Sequence, residues 1–408
     1  MAPLKYWIWL STLQGLGDRA KLRLLEHFSS PEEIYYAQSG DLLQVEGITK
    51  AHALVLENKS LQRAEQVLGD CARDGQFIVT MDDAAYPTRL RDIFDPPLVL
   101  YGKGSLPLFD EEVAVAVVGT RKCTPYGVDA AGQLGYELAR EGALLVSGMA
   151  KGIDSEALRG ALRAGGFTAA VLGGGADVVY PAENRRLYED IAATGVILSE
   201  YPPGTEARGS HFPYRNRILS GLCLATLVVE APEKSGALIT AATALEQGRE
   251  VFAVPGPINA PDSRGCNGLI REGAGLVTEA WDILGLYESR FPHKLRRRTG
   301  QLPPLPKGTA AEAPPEKEPE EITATTKTTE PALPVLDVSR DPQGLTDDQL
   351  ALLRVLKSDE ALLTDDAALL ADLPIRRVLS ALTMLEIDGY VCRQGARSFL
   401  RTVELKEE

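Results

Sequence analysis

Arg121 and Lys122, Lys151, Arg185 and Arg186, and Arg208, Arg215 and Arg217 follow four successive apolar runs of the chain. Tyr126, Tyr180, Tyr201, Phe212 and Tyr214 lie in the same intervals. Cations and backbone N–H groups hold phosphates, and bases stack on aromatic rings. Together these are the means by which a groove binds a single-stranded nucleic acid. Any one of these residues is unremarked as a loop residue; their joint recurrence carries the reading. Glycines accompany them. Gly119-Thr120-Arg121 has the form of a phosphate cradle, Lys151 beside Gly148 and Gly152 could reach an anion, and Gly173-Gly174-Gly175 permits close backbone approach to a ligand or a plain tight turn.

The elements that must position these groups are legible. Val113 to Val118 is a continuous apolar run without alternation, which suits a strand buried on both faces of a parallel sheet. Ala143 to Val146, Phe167 to Leu172, Val196 to Ser199, Cys223 to Glu230 and Glu250 to Val254 repeat the pattern, with helical stretches between them such as Val128 to Arg140 and Ala237 to Gln247. Strand, glycine-rich loop and helix in this order predict an open α/β sheet, with ligands at the carboxyl ends of its strands. Phe77 to Thr80 and Leu98 to Tyr101 read as short strands added at its edge. Gly275 to Val277 reads as a last strand.

The chemistry that is absent narrows the function. No GxxxxGK[ST] string and no GxGxxG follow the first strand, so neither a P-loop nor a dinucleotide fingerprint is present. Of the four histidines only His211 falls among the strand-end loops, and no Ser or Cys there is obviously paired with it. Metal-ligand spacing and clustered carboxylates are also missing. The sequence therefore predicts no catalytic residues, no metal and no cofactor. Glu230 ends a buried strand and is the one carboxylate to consider for chemistry, with a salt bridge to a loop arginine as its plainer role. Asp154, or else Ser155, is expected to cap the helix after Gly152, and Ser235 the helix after it.

Composition sets the outer bounds. The 408 residues suffice for two to four domains, and 44% hydrophobic with 25% charged residues is the balance of a soluble globular protein. No apolar run approaches the length of a membrane span. Met1 to Leu10 lacks the features of a signal peptide. Cys71, Cys123, Cys223, Cys266 and Cys392 are widely spaced, which fits a reducing cytoplasm. A net charge of −14 excludes a globally basic nucleic-acid binder but not a local basic patch.

Four segments are expected. Residues 1–76 read as helices with two glycine turns, Gly15-Leu16-Gly17 and Glu46-Gly47-Ile48, whose exposed N–H groups suit either phosphate contact or simple packing. Residues 77–290 hold the sheet. Residues 291–344, dense in Pro, Thr, Glu and Ala, read as a disordered tether. Residues 345–408 give three helices and a hairpin, the pattern of a winged helix. From Asp341 to Glu408 there are 13 acidic and 8 basic residues, a balance of −5 that makes partner binding at least as good a role as DNA contact through Arg376, Arg377, Arg393 and Arg397.

Specific strings then resemble a known family. Val118-Gly119-Thr120-Arg121 with Tyr126-Gly127, and Ser147-Gly148-Met149-Ala150-Lys151-Gly152-Ile153-Asp154, are similar to the DNA-processing protein A family (DprA, also called Smf). So are Tyr180-Pro181 with Asn184, Ser199-Glu200 with Pro202-Pro203-Gly204, and Phe212-Pro213 with Arg215-Asn216-Arg217. Val228-Val229-Glu230-Ala231 with Ser235-Gly236, and Val254-Pro255-Gly256, complete a match running from about Phe77 to Leu284. The resemblance implies a Rossmann-like core with an N-terminal SAM-like or helix-hairpin-helix-like domain and a C-terminal winged helix. It implies a non-enzymatic homodimer that binds single-stranded DNA, shields it from nucleases and helps load the RecA recombinase in natural transformation. By motif, Arg121 grips a phosphate, Phe212 contacts a base, and Gly119 and Thr120 offer donors. The charge reading adds Lys151, Arg185, Arg215 and Arg217, and the neighbouring Lys122 and Asn216 complete the candidate DNA-binding set. The family often carries His where this chain has Ala157-Leu158-Arg159, which tells against catalysis at that helix and leaves DNA binding intact. The competing expectation is a nucleotide-processing enzyme of the related lysine-decarboxylase-like group, whose Pro-Gly-Gly-x-Gly-Thr-x-x-Glu string is missing here.

Overall fold

The computed structural model describes residues 4–297, 335–337, 345–358, 362–371, 373–374, 377–378, 381–382, 384–385, 390–393 and 398–406. The chain divides into two compact units, Met1–Gly308 and Thr309–Glu408.

The first unit is built on a sheet of nine strands: β1 (Phe77–Thr80), β2 (Val99–Gly104), β3 (Ala114–Val118), β4 (Leu144–Ser147), β5 (Thr168–Val171), β6 (Val196–Ser199), β7 (Ala225–Val228), β8 (Glu250–Ala253) and β9 (Gly275–Leu276). Their spatial order is β1-β2-β6-β5-β4-β3-β7-β8-β9. β3 to β9 run parallel, while β2 pairs antiparallel with β6 and β1 antiparallel with β2. The unbroken apolar run of β3 is explained by burial of all five of its residues. Alternate side chains feed two cores. Val115, Val117, Leu145 and Ile197 face one way; Ala116, Val146, Val171 and Leu198 face the other.

Helices cover both faces. α1 (Leu4–Thr12), α2 (Asp18–His27), α3 (Pro31–Tyr36), α4 (Ser39–Leu42), α5 (Lys50–Leu56) and α6 (Gln62–Asp74) precede the sheet. Ser30 caps α3, Thr49 and His52 form a capping box on α5, and Gly75 at φ 64° ends α6. Trp7, Ile8, Leu24, Val67 and Cys71 join the same core as Tyr101 and Leu187, so these helices pack directly on the sheet. α7 (Thr88–Arg91), α8 (Pro125–Arg140), α9 (Ile153–Arg163), α10 (Arg185–Thr194), α11 (His211–Gly221), α12 (Gly236–Glu246), α13 (Arg264–Arg271) and α14 (Trp281–Leu284) follow. The strands lie close to their expected positions, but Arg185 and Arg186, expected in a loop, open α10. Packing also runs past residue 290: Phe291 and Leu295 are buried in the first unit, and the Arg296 N–H donates to the Glu141 carbonyl at 2.9 Å. The rest of the expected tether, residues 298–334 and 338–344, lies outside the described residues.

In the second unit, β10 (Val335–Asp337) pairs in parallel with the last strand, Glu404–Lys406. α15 (Asp347–Val355) is closed by a Thr346–Gln349 capping box. β11 (Leu362–Leu363), α16 (Thr364–Leu370), β12 (Val391–Arg393) and β13 (Ser398–Arg401) complete the winged-helix elements, with strand order β11-β13-β12. Leu352, Leu356, Leu382, Val391 and Phe399 form the core. Arg377 is ion-paired with Asp348 at 2.6 Å, while Arg376 and Arg397 lie outside the described residues.

Candidate nucleic-acid interface

Parallel strands bring the loops after β3, β4, β5 and β6 to one edge of the sheet. There they enclose a cavity of about 190 Å3 lined by Arg121, Lys151, Tyr180 and Phe212, with a floor of Gly148, Gly173 and Gly174. Arg121 is exposed, and its Cζ stands 5.1 Å from the centre of the Phe212 ring. Phe212 is half-buried and meets Tyr180 at 5.4 Å between centroids, tilted by 33°. A Cβ on Gly173 would come within 2.9 Å of the Phe212 ring, so only glycine lets that ring settle where it does. Three residues widely separated in sequence, Arg121, Lys151 and Phe212, therefore converge. Tyr180 joins them; its place in the Tyr180-Pro181 string was the available signal.

The loop after β4 is tightly specified. Met149 sits at φ 55°, and Gly152 at φ 80° backs onto the Thr120 carbonyl, where a Cβ would lie 2.4 Å away. Asn184 Nδ2 donates to the Met149 carbonyl at 2.9 Å, and Arg159 holds Asn184 Oδ1 at 3.0 Å. Asp154 is not the cap of α9. Gly152 occupies that position, and Asp154 Oδ2 instead accepts the N–H groups of Gly148 at 3.1 Å and Ala150 at 3.4 Å. Ser155 likewise turns inward, donating to the Gly152 carbonyl. Ser235 does cap α12 as expected, accepting from Ala237 N–H. Lys151 reaches out of this loop to Glu183 at 2.7 Å, and that hydrogen bond holds the Glu183 carboxyl below its usual range. Both side chains are more than half exposed, so the pair opens readily to a competing phosphate.

Other expected contacts have different places. Thr120 is buried; its N–H donates to the Glu230 carbonyl at 2.7 Å and its Oγ1 accepts from Lys122 N–H at 3.3 Å, so its donors shape the loop rather than offer themselves. Gly119 is pressed against Ile153, where a Cβ would lie 2.5 Å from Cγ1. Among the described residues Glu230 makes no arginine salt bridge. Its carboxylate accepts the Thr124 N–H at 2.8 Å and hydroxyl at 2.6 Å, anchoring the start of α8. Lys122 and Arg185 are exposed but outside the cavity lining.

α11 disperses its motif. Phe212 faces the cavity. Tyr214 turns to α2, with its hydroxyl donating to Asp18. Arg217 is buried, paired with Glu200 at 2.6 and 2.8 Å, with its Cζ 4.0 Å from the Tyr214 ring centre. Arg215 is buried beneath Gly148, and burial pushes its guanidinium down to about 10. Asn216 is half-buried and its carbonyl accepts from Ser220 Oγ. His211 stacks on Tyr201 at 4.2 Å, its Nδ1 2.9 Å from the Gly173 carbonyl oxygen. A contiguous string on a helix points its side chains around a full turn, so the arginines of the motif do not share the cavity with Phe212. Among the described residues no group of three or more His, Cys, Asp or Glu side chains is placed to hold a metal, and no helix is long and apolar enough to cross a membrane.

Residues 77–288 match the profile of the DNA recombination-mediator protein A family, and residues 338–397 match that of the DprA winged helix domain. The DNA processing protein DprA of Streptococcus pneumoniae is 39% identical over 288 residues, 71% of this chain and 100% of its own. That of Bacillus subtilis is 42% identical over 234 residues, 57% of this chain and 79% of its own. The X-ray structure of the Streptococcus pneumoniae protein superposes with a TM-score of 0.63 at 36% identity, covering 70% of this chain and 98% of that one. The cavity, its strings and the sheet that carries them thus occur together in a chain that belongs to the DNA recombination-mediator protein A family, DprA/Smf.

Proposed function

We propose that this chain binds single-stranded DNA along the carboxyl edge of its sheet, without a chemical step, shields it from nucleases and helps load RecA onto it during transformation. The observation that carries the reading is the convergence of two cations and two rings, Arg121, Lys151, Phe212 and Tyr180, on one glycine-floored cavity. Its 190 Å3 is below the ~300–1,000 Å3 of sites that enclose a whole small molecule, and suits one unit of a longer polymer. A ring supplies sequence-tolerant stacking and the cations supply phosphate attraction.

Mobility shifts with oligothymidylate across a salt series test this. Phe212→Ala is expected to weaken binding by about 1–3 kcal/mol. Arg121→Ala is expected to flatten the dependence of log K on log salt by about 0.7. Equal affinity for duplex and single strand would sink the proposal. The RecA part is tested by the rate of RecA filament assembly on single-stranded DNA with and without the protein; an unchanged rate removes it.

The homodimer reading has its own support. α12 exposes Ile239 and Leu245, and the loop after β8 exposes Ile258 at 93%. Leu238, Leu245, Ile258 and Leu269 line a groove of about 570 Å3 between α12 and α13. Exposed apolar side chains interspersed with Glu233, Arg264, Asn267 and Arg271 suit an interaction face, and a two-fold dimer buries one such face on both partners. Sedimentation of an Ile239→Asp, Leu245→Asp variant is expected to give monomer.

A further inference from the structure

Arg215 leaves α11 toward the loop after β4 and stops beneath it. It is 4% exposed, and its Nε and Nη1 are enclosed without a hydrogen-bond partner among the described residues. A Cβ on Gly148 would lie 2.0 Å from Nη1, so the guanidinium fills the space that a side chain at 148 would need. The opposing charge is Asp154 on α9, also buried, whose Oδ2 accepts the Gly148 and Ala150 N–H groups. Burial pushes the Asp154 carboxyl up, and Arg215 is the largest influence opposing it. Two buried opposite charges on different helices therefore flank one loop. That loop lines the cavity through Gly148, Ala150 and Lys151, and α11 lines it through Phe212.

We propose that Asp154 and Arg215 are a positioning pair that sets the separation of the Lys151 loop from the Phe212 helix, and so the width of the cavity, without touching DNA. The inference rests on the reading that this cavity binds single-stranded DNA. A buried carboxylate that accepts two loop N–H groups on one oxygen holds the loop more strongly ionised than protonated, and a cation nearby favours the ionised form. Removing either charge leaves the other buried and uncompensated, and the loop and helix must move to admit water.

The test is oligothymidylate affinity across a salt series for wild type, Arg215→Met, Asp154→Asn and the double variant, with thermal unfolding followed alongside. Each single variant is expected to bind about ten-fold more weakly with an unchanged salt slope, and the double variant no more weakly than the worse single one. Arg121→Ala is the reference for a lost phosphate contact, with a slope flatter by about 0.7. The same flattening in Arg215→Met overturns the proposal by making Arg215 a phosphate ligand. Undiminished affinity in both single variants, or losses that simply add in the double one, also overturns it. If Arg215→Met does not fold, the charge-free double variant and Arg215→Lys decide. Arg215→Lys keeps the charge without the planar fork, so it should bind less than about ten-fold more weakly than wild type; a loss of about ten-fold or more in Arg215→Lys, or a double variant that binds more weakly than Asp154→Asn, overturns the pair. Failure of wild type to bind single-stranded DNA is a separate result, sinking the functional reading and this inference with it.

Discussion

Buried ionised side chains decide what Arg217 does. Glu200 and Arg217 side chains are 17% and 10% exposed and face each other at 2.6 Å. Burial pushes the Glu200 carboxyl up, and Arg217 works against that push. A carboxyl raised in the fold holds its proton more tightly there than in the unfolded chain. Stability therefore falls as pH rises from the unfolded value, about 4.3, toward the folded one. Without Arg217 that window extends upward. Arg217→Met is expected to cost about 3–5 kcal/mol near neutral pH, because the carboxylate is left unpaired. The deficit should shrink as pH is lowered and Glu200 takes up its proton, and melting temperatures of both proteins at a neutral and an acidic pH measure it. An equal deficit at both would show that the lost charge is not the cause.

At the scale of elements, helix starts hold the binding loops. α8 begins at Thr124, whose side chain accepts from the Gly127 N–H while its own N–H and hydroxyl donate to Glu230. The loop from Gly119 to Thr124 is thereby tied to the end of β7 at both ends, since Thr120 N–H also bonds the Glu230 carbonyl. Thr124→Ala is expected to lower stability by about 0.5–2 kcal/mol through the lost cap, measured by urea unfolding. It should also weaken single-stranded DNA binding, because Arg121 loses its fixed approach to Phe212; loss of stability with unchanged affinity would confine Thr124 to folding. α11 is the other organising element. Within two turns it touches the β5 loop, the cavity, α2, the β4 loop and Glu200.

For the whole molecule, a chain of net charge −14 binds a polyanion only where cations are concentrated. The cavity edge meets that condition. The second unit, at −5 from Asp341 to Glu408, does not. A chain ending at residue 308 is therefore expected to keep single-stranded DNA affinity within about two-fold at moderate salt. Filter binding of the two lengths side by side checks this; a loss of ten-fold or more would assign the winged-helix unit a share of the contact.

Local pattern was enough for the sheet and for the edge that carries the site. Short unbroken apolar runs rich in β-branched residues and followed by glycine loops suit strands buried on both faces, and their parallel order follows from the helices between them. The strings around Arg121, Lys151 and Phe212 placed those residues in the connections that follow the strands, and the chain's family followed from the same strings. Which charged side chains face outward was settled only by packing. Asp154 reads like a helix cap, Glu230 like a salt-bridge partner, and Arg215 and Arg217 like phosphate ligands. In the fold, Asp154 takes loop N–H groups, Glu230 takes Thr124, Arg217 takes Glu200, and Arg215 lies under Gly148. Sequence spacing sets a residue's height on a helix and its angle around the axis. Whether that angle meets solvent or a neighbouring element depends on contacts made by residues far away in the chain.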